Sequence, residues 1–441
     1  MRPFTTAELA VNTVAIARQF LAFRRRPFAP REQIRRYQLR ELKRLVAHAY
    51  AHVPLYADVY RAAGVHPRDL RELSDLRHFP CVSKDDVLAA YPTRALSRGL
   101  DRRRCLVSKS SGSSGQVLEV VHRADQVSIQ GLAMHRLLAQ YGAYRPWDHF
   151  VYVYTSEYPA RSLFGTYPMT LVPTLAPTHE IVARLRQLRP RFLACYPSHL
   201  REIADALGPA GCRGLKLAAI SVSSEPSSQE ERDVLSQRFG CGVYDEYSTE
   251  ELTRIAAQCP DGRYHIFEDV VLLEAIDPDR GTPVADGEMG EVVGTYLHNL
   301  AMPFIRYRQG DMARLGPSRC RCGRSFREMS ELSGRRIDAF ELPSGRVLTS
   351  GWLLDATYSF LLDVGADIAA FRLVQTTRSD VRILIVPGPQ WSDAMSGAVE
   401  RRFAELVGEP LTITVELVAE LPRSAAGKHQ PVVSQVRRQA V

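Results

Sequence analysis

The 441-residue chain is 45% hydrophobic and 24% charged, the balance of an ordinary globular protein, and long enough for two or three domains with a substantial core. Its net charge of +8 favours anionic ligands. The composition excludes several classes: no apolar run reaches the ~18 residues of a membrane helix, and eight dispersed cysteines make no disulfide scaffold.

Glu8 and Arg18 interrupt the N-terminal apolar stretch, so no signal peptide is read and a cytoplasmic protein is expected. No helix-turn-helix, RRM or basic-zipper signature accompanies the scattered arginines, and no nucleic-acid partner is expected. The Phe23–Arg31 stretch, FRRRPFAPR, is either a contact for anionic lipid or nucleic acid or a solvated basic patch.

Residues 1 to about 104 read as helices and loops. Leu39, Leu42, Leu45, Val46 and Ala49 form a helical stripe within Ile34–Tyr50, and Pro54 and Pro67 break the pattern. From about 105, strand-like runs (Leu118–Val121, Phe150–Thr155, Leu217–Val222) alternate with helical segments near 124–140, 179–187 and 227–238. That alternation predicts an α/β fold with a mostly parallel sheet covered by helices. Val270–Ala275 and Glu291–Leu297 are further strands. A tail of about 100 residues runs strand, strand, helix, strand (Phe371–Gln375, Val381–Val386, Ala394–Leu406, Leu411–Val418), as a small α+β domain would. The expected division is 1–104, a helical part of the large domain, 105–337, its binding core, and 338–441, the small domain.

Six stretches carry chemistry. Ser108–Gln116, SKSSGSSGQ, is either a flexible linker or a loop whose glycines and hydroxyls cradle a polyphosphate. It lacks the Gly-Lys-Ser/Thr of a Walker A loop. Ser221–Pro226, SVSSEP, follows a strand and opens a helix, where a sheet binds nucleotides. Val243–Glu251, VYDEYSTEE, offers carboxylates to a divalent cation or is the acidic first turn of a helix. Cys259 and His265, with Cys320 and Cys322, supply three thiols and an imidazole, a set suited to tetrahedral Zn²⁺ or else to free thiols.

Pro303–Asp311, PFIRYRQGD, is either a salt-bridged hairpin or a ligand site. In the second reading a turn at Gln309-Gly310 presents Asp311 to ribose hydroxyls, while Arg306 or Arg308 holds a phosphate. Pro422–Lys428, PRSAAGK, places a lysine on a flexible turn, which is either plain surface or a charge aimed at an anionic reacting centre.

Taken in this order, the motifs resemble the adenylate-forming superfamily, most closely its phenylacetate–CoA ligase and capsule-biosynthesis branch. The resemblance spans nearly the whole chain, from HAYAHVPLYADVYRAAGV and LRHFPCVSKDDV through GEMGEVVGTYLHNLAMPFIRYRQGD to GRRID and LPRSAAGK. It implies a large N-terminal domain of mixed sheets and helices and a small, mobile C-terminal domain. It implies that Ser110, Ser111, Gly112, Ser113, Ser114 and Gly115 hold the ATP phosphates, and that Ser224, Glu225 and Pro226 lie against the adenine. Tyr247 stacks near the base beside Ser248, and Asp311 accepts the ribose hydroxyls with help from Arg335. Glu251 binds Mg²⁺, Asp338 is the hinge, and Lys428 stabilises the adenylation transition state. Cys259, His265, Cys320 and Cys322 match the structural zinc ligands of some members.

The implied activity is ATP-dependent activation of a small carboxylic acid to an acyl-AMP, with pyrophosphate release. The acyl group then passes to CoA, the commonest acceptor, or to a carrier protein or an amine; a homodimer is compatible. Tyr152, Tyr154 and Tyr196 either line the acyl pocket or belong to plain core. Gln116 stands where the family usually has lysine, Ser248 where it has glycine, and Glu250 where it has serine or threonine. Those departures also fit a non-catalytic nucleotide-binding partner protein.

Overall fold

The structure, a computed structural model, describes residues 4–109, 118–154, 165–174, 176–335, 339–348, 368–422 and 430–436, with Leu353, Thr357 and Leu361. The N-terminal elements are α1 (Thr6–Arg25), α2 (Arg31–His52), α3 (Pro54–Ala62) and α4 (Lys84–Ala90). In α2 most of the apolar stripe seen in the sequence is buried: Leu42, Leu45, Val46 and Ala49 turn inward together with Ile34, while Leu39 is half-buried. Gln38 shares that buried face. These helices belong to the large body. Tyr56 Oη donates to the Pro303 carbonyl (3.0 Å) and accepts from the Ile305 amide (2.8 Å).

A two-stranded hairpin, β1 (Cys105–Lys109) and β2 (Glu119–Arg123), leads through α5 (Ser128–Ala139) into the main sheet. The next elements are β3 (Phe150–Tyr154), β4 (Met169–Pro173), α6 (Thr178–Leu188), β5 (Phe192–Cys195), α7 (Pro197–Gly214), β6 (Ala219–Ser223), α8 (Gln229–Phe239) and β7 (Gly242–Thr249). Then come β8 (Thr253–Gln258), β9 (Tyr264–Ile266), β10 (Val271–Ile276), β11 (Met289–Tyr296), β12 (Tyr307–Gly316) and β13 (Glu328–Arg335). The sheet has 11 strands in the order β10-β11-β12-β13-β9-β8-β7-β6-β5-β3-β4.

The sheet is not mostly parallel, as the sequence pattern suggested. Strands β4, β3, β5, β6 and β7 run parallel, and every pairing from β7 to β10 is antiparallel. Helices α6, α7 and α8 supply the crossovers that parallel strands require, whereas the second half is joined by turns and loops. The strands alternate between two cores. Val151, Val153, Leu193, Cys195, Ile220 and Val222 pack with α6–α8. Phe150, Phe192, Ala194 and Ala219 face the other core, with the N-terminal helices and α5.

Beyond β13, β14 (Phe340–Glu341) pairs with β15 (Val347–Leu348). A four-stranded sheet follows, built from β16 (Ile368–Gln375), β17 (Asp380–Pro387), β18 (Thr412–Leu417) and β19 (Val432–Ser434) in the order β18-β17-β16-β19. Val399, Phe403 and Val407 of α9 (Asp393–Val407) close a core on Phe371, Leu373, Ile383 and Ile385. This smaller α+β part has its own apolar cluster.

Candidate active site and metal centre

Asp311 and Tyr247 sit on β12 and β7, with β8, β9 and β13 between them in the sheet. Across a flat sheet those four steps would span about 19 Å. Yet Tyr247 Oη donates to Asp311 Oδ2 at 2.6 Å. The antiparallel half therefore curls until β12 meets the carboxyl end of the parallel half. A second bridge repeats the contact, from Tyr307 Oη to Glu251 Oε1 at 3.1 Å. Tyr247, Glu251, Tyr307 and Asp311 are all buried.

Two glycines lie in the strands of this closure. Gly310 has φ +79°, at a bulge in the β11–β12 pairing between Arg308 and Met312. Gln309-Gly310 is thus an irregularity inside β12 and not the turn expected from the sequence. The bulge re-aims the strand locally. At Gly294 a Cβ would lie 2.0 Å from Leu252 Cδ1, so a larger residue on β11 would push the Leu252 side chain aside. Val243–Glu251 continues as strand β7 and a turn; the helical alternative is not what forms.

The arginines of PFIRYRQGD have other work. Arg306, buried and at φ +48°, donates Nε to Glu274 Oε2 at 3.0 Å and Nη1 to the carbonyls of Arg77 and Phe79. Arg308 pairs with Glu291 and donates to the Pro278 carbonyl at 2.9 Å. Both hold the chain together, so neither is the phosphate ligand that their spacing suggested. Tyr307, between them, is a neighbour of Glu251 that sequence reasoning passed over. Its signal was alternation, because it points opposite to the two arginines on a strand.

At the end of β6, Ser224 adopts φ +70° and the chain turns into α8, whose N-cap Ser228 accepts from the Glu231 amide. Strand, turn and helix start fall where the sequence placed them. The Glu225 carboxylate, however, is drawn back to the first turn of α7. It accepts from the Ser198 amide and from Ser198 Oγ, both at 3.1 Å, satisfying helix-end donors and the helix dipole. Ser198 is a positioning residue that no motif revealed.

Tyr152 and Tyr154 stack with centroids 4.2 Å apart, and Tyr154 meets Tyr196 edge-on at 4.7 Å. Tyr154 Oη bonds Ser223 Oγ. These rings lie between the carboxyl ends of β3 and β5, where the strand order reverses, the usual place for a ligand crevice in an open α/β sheet. Tyr196 is buried, while Tyr152 and Tyr154 are half-buried.

The remaining expectations fall elsewhere. Ser110–Gly115, Gln116, Asp338 and Lys428 lie outside the described residues, as does the side chain of Arg335. Arg335 is described as the backbone register partner of Asp311 on β13.

Cys259, His265, Cys320 and Cys322 converge, with all four ligand atoms within 4.8 Å of one another. Pairing of β9 with β13 sets Glu328 opposite His265 and so brings the β8–β9 turn against the β12–β13 loop. Cys259 Sγ and Cys320 Sγ are 3.5 Å apart, and Cys322 Sγ is 3.2 Å from His265 Nε2. Ligands around a tetrahedral Zn²⁺ at bond lengths of about 2.0–2.3 Å are separated by about 3.5–3.8 Å, so the donor set and spacing fit that ion. His265 Nδ1 lies 3.3 Å from the Phe326 carbonyl, the outer contact that fixes a ligating tautomer with Nε2 inward. Burial lowers the His265 pKa, favouring the neutral ring that a ligand must be.

A buried charge cluster between β9 and β10, together with Ser325 of the β12–β13 loop, ties this region to the N-terminal segment and α5. Asp269 receives Arg136 through two bonds of 2.7 Å and Arg26 at 2.9 Å. Arg31 chelates Glu268 and reaches the Ser325 carbonyl at 2.9 Å, while the Ser325 amide donates to the Pro27 carbonyl at 2.6 Å.

A parallel sheet that continues into a curled antiparallel half, followed by a small α+β unit, is the architecture of adenylate-forming enzymes. The chain superimposes on a 2-hydroxyisobutyryl-CoA ligase in its postadenylation state with a TM-score of 0.79, at 21% identity, covering 93% of this chain and 91% of that one. No protein-family model matches. The phenylacetate–coenzyme A ligase of Escherichia coli is 32% identical over 325 residues, covering 70% of this chain and 72% of that enzyme. The Thermus thermophilus enzyme of the same description is 28% identical, covering 92% of this chain and 97% of its own length. The chain belongs to the phenylacetate–coenzyme A ligase family of adenylate-forming enzymes. Among the described residues, no helix is long and apolar enough to cross a membrane.

Proposed function

We propose that the chain activates an aromatic or arylacetic acid with ATP and transfers the acyl group to CoA, using the crevice closed by the Tyr247–Asp311 pair. That pair is the observation that carries the reading. A buried carboxylate oriented by a phenol at the carboxyl ends of parallel strands suits the two hydroxyls of a ribose. Ser224 and the backbone around it face the base, because the Glu225 carboxylate is committed to α7. Tyr152, Tyr154 and Tyr196 receive the acid. Their stacked and edge-on rings suit an aromatic group, in keeping with the phenylacetate named for the relatives.

In the first half-reaction a substrate carboxylate oxygen attacks the α-phosphorus. The bond from that phosphorus to the bridging oxygen breaks, and pyrophosphate leaves with the electron pair. Two anions approach each other, so stabilising the developing charge dominates the rate gain. Glu251, held by Tyr307, would keep Mg²⁺ on the phosphate oxygens, where the ion offsets that charge. Lys428 delivers the second positive charge. In the other half-reaction the CoA thiolate attacks the acyl carbonyl and AMP departs. Rotation of the small domain about Asp338 exchanges the two arrangements. Cys259, His265, Cys320 and Cys322 would hold a structural zinc.

The test is pyrophosphate release from Mg·ATP across aromatic, fatty and hydroxy acids, first without CoA and then with it. Release that depends on an arylacetic or aromatic acid and turns over with CoA is expected. Failure of every acid to elicit release, with ATP still bound, would overturn the reading.

A further inference from the structure

Residues 18–44 carry ten arginines and lysines against Glu32 and Glu41, a net +8 that equals the charge of the whole 441-residue chain. The positive charge is therefore concentrated on the C-terminal part of α1, on α2 and on the turn between them. Arg26 and Arg31 are paired with the buried Asp269 and Glu268; Arg18, Arg24, Arg25, Arg35, Arg36 and Arg40 face solvent, with Arg36 and Arg40 in surface pairs with Glu32 and Glu41. Arg25, Arg26, Arg36 and Arg40 line a groove of about 530 Å³ with Gln33 and Tyr37. Tyr37 is held between Arg26 and Arg40, whose guanidinium carbons lie 3.8 and 4.9 Å from its ring centroid.

Helix α1 adds an apolar stripe beside that groove. Its inner face is anchored: Asn12 donates to the Ala124 carbonyl at 2.7 Å and accepts from the Val127 amide at 3.0 Å, and Phe23 is buried. Its outer face is also apolar. Val11 is 51% exposed, Val14 49%, Leu21 61% and, just beyond the helix, Phe28 54%. Among the described residues only eight large apolar side chains are so exposed, and half of them lie on this one face. With Arg18 and Arg25 they follow one another at spacings of three and four, a single line along the helix. A helix apolar on both faces is built to be covered on both.

We propose that this face docks on an anionic phospholipid surface, with phosphate headgroups in the arginine groove and Val11, Val14, Leu21 and Phe28 in the acyl boundary. A basic helix with an apolar outward stripe has the composition of an interfacial anchor. A second copy of the chain is disfavoured by charge, since a two-fold contact would set this arginine cluster against itself.

Co-sedimentation of the full chain tests the assignment, using vesicles of phosphatidylcholine alone or mixed with phosphatidylglycerol. Binding to the mixed vesicles only is expected, lost at about 0.5 M salt where charges are screened within a few ångströms. Arg25→Glu with Arg36→Glu and Arg40→Glu lowers partitioning by about 10²-fold or more, at roughly fivefold per basic side chain near the surface. Val14→Ser with Leu21→Ser weakens binding while the salt dependence remains. All five positions are exposed, and unchanged circular dichroism confirms folding. Equal binding to neutral vesicles, no binding at low salt, retention on oligonucleotides but not vesicles, or a dimer that Leu21→Glu dissociates would each overturn the proposal.

Discussion

Replacing Asp311 by alanine tests the nucleotide site most directly. Asp311 is buried, with Tyr247 Oη 2.6 Å from Oδ2. A carboxylate has about four lone-pair sites, enough to accept from Tyr247 and from two ribose hydroxyls together. Hydrogen bonds to a charged acceptor contribute about 1.5–3 kcal/mol each, so losing both costs about 3–6 kcal/mol, or roughly 10²- to 10⁴-fold in ATP affinity. The same change leaves the buried Tyr247 hydroxyl without its acceptor and costs about 1–3 kcal/mol of stability. A fall in activity alone would therefore not separate the two effects. The deciding assay is acid-dependent pyrophosphate release as a function of ATP and of 2′,3′-dideoxy-ATP. The wild type should prefer ATP strongly, and Asp311→Ala should treat the two nucleotides nearly alike. Asp311→Asn, which keeps an acceptor oxygen, should fall between. If Asp311→Ala still discriminates as the wild type does, Asp311 is not the ribose ligand and the site has been placed wrongly.

Lys428→Ala should slow single-turnover acyl-AMP formation by about 10²- to 10³-fold, as loss of one charge-stabilising group does, while CoA still consumes added acyl-AMP; an unchanged first step removes Lys428 from the mechanism. Elemental analysis should find one zinc per chain, lost in Cys320→Ser and Cys322→Ser. Chelation should speed hydrogen exchange in the β12–β13 loop and in residues 26–31, which the Ser325–Pro27 and Arg31–Ser325 bonds join to it; metal-free protein of wild-type stability would sink the zinc assignment. Asp269→Ala leaves the buried Arg136 and the nearly buried Arg26 uncompensated and should cost about 3–5 kcal/mol in urea unfolding. Burial raises the Asp269 pKa, but Arg136 and then Arg26 outweigh it, and the net shift is downward. Its contribution is accordingly present above the unfolded carboxylate value of about 3.9 and lost as pH falls through the lower folded value. A wild-type advantage over Asp269→Asn that grows on acidification would contradict that sign.

Periodicity and motif order carried the reading a long way. The stripe of α2, the helices α5, α6 and α8, the strands β3 and β6, and the strand–strand–helix–strand tail are local patterns, set by which side chains can share a face; α7, β4 and β5 were not read from the sequence. The family is equally local, because its signatures are short and keep their order along the chain. The four zinc-type ligands were legible as residue types, since few other roles gather three cysteines and a histidine.

What only the tertiary structure decided depends on residues far apart in the chain. Nothing local distinguishes β3–β7, which run parallel, from β8–β13, which do not, because alternation looks the same in either. The curl that brings the Tyr247 hydroxyl within 2.6 Å of Asp311 joins strands four positions apart in the sheet, and the bulge at Gly310 lies inside one of them. Arg306 and Arg308 looked available because their partners, Glu274 and Glu291, stand on other strands. That the Glu225 carboxylate accepts from Ser198 was invisible in the sequence, because the first turn of α7 comes 27 residues earlier in the chain. Sequence names the groups that can do chemistry; folding decides which of them are already taken, because a buried charge or helix end must find its partner wherever the chain returns.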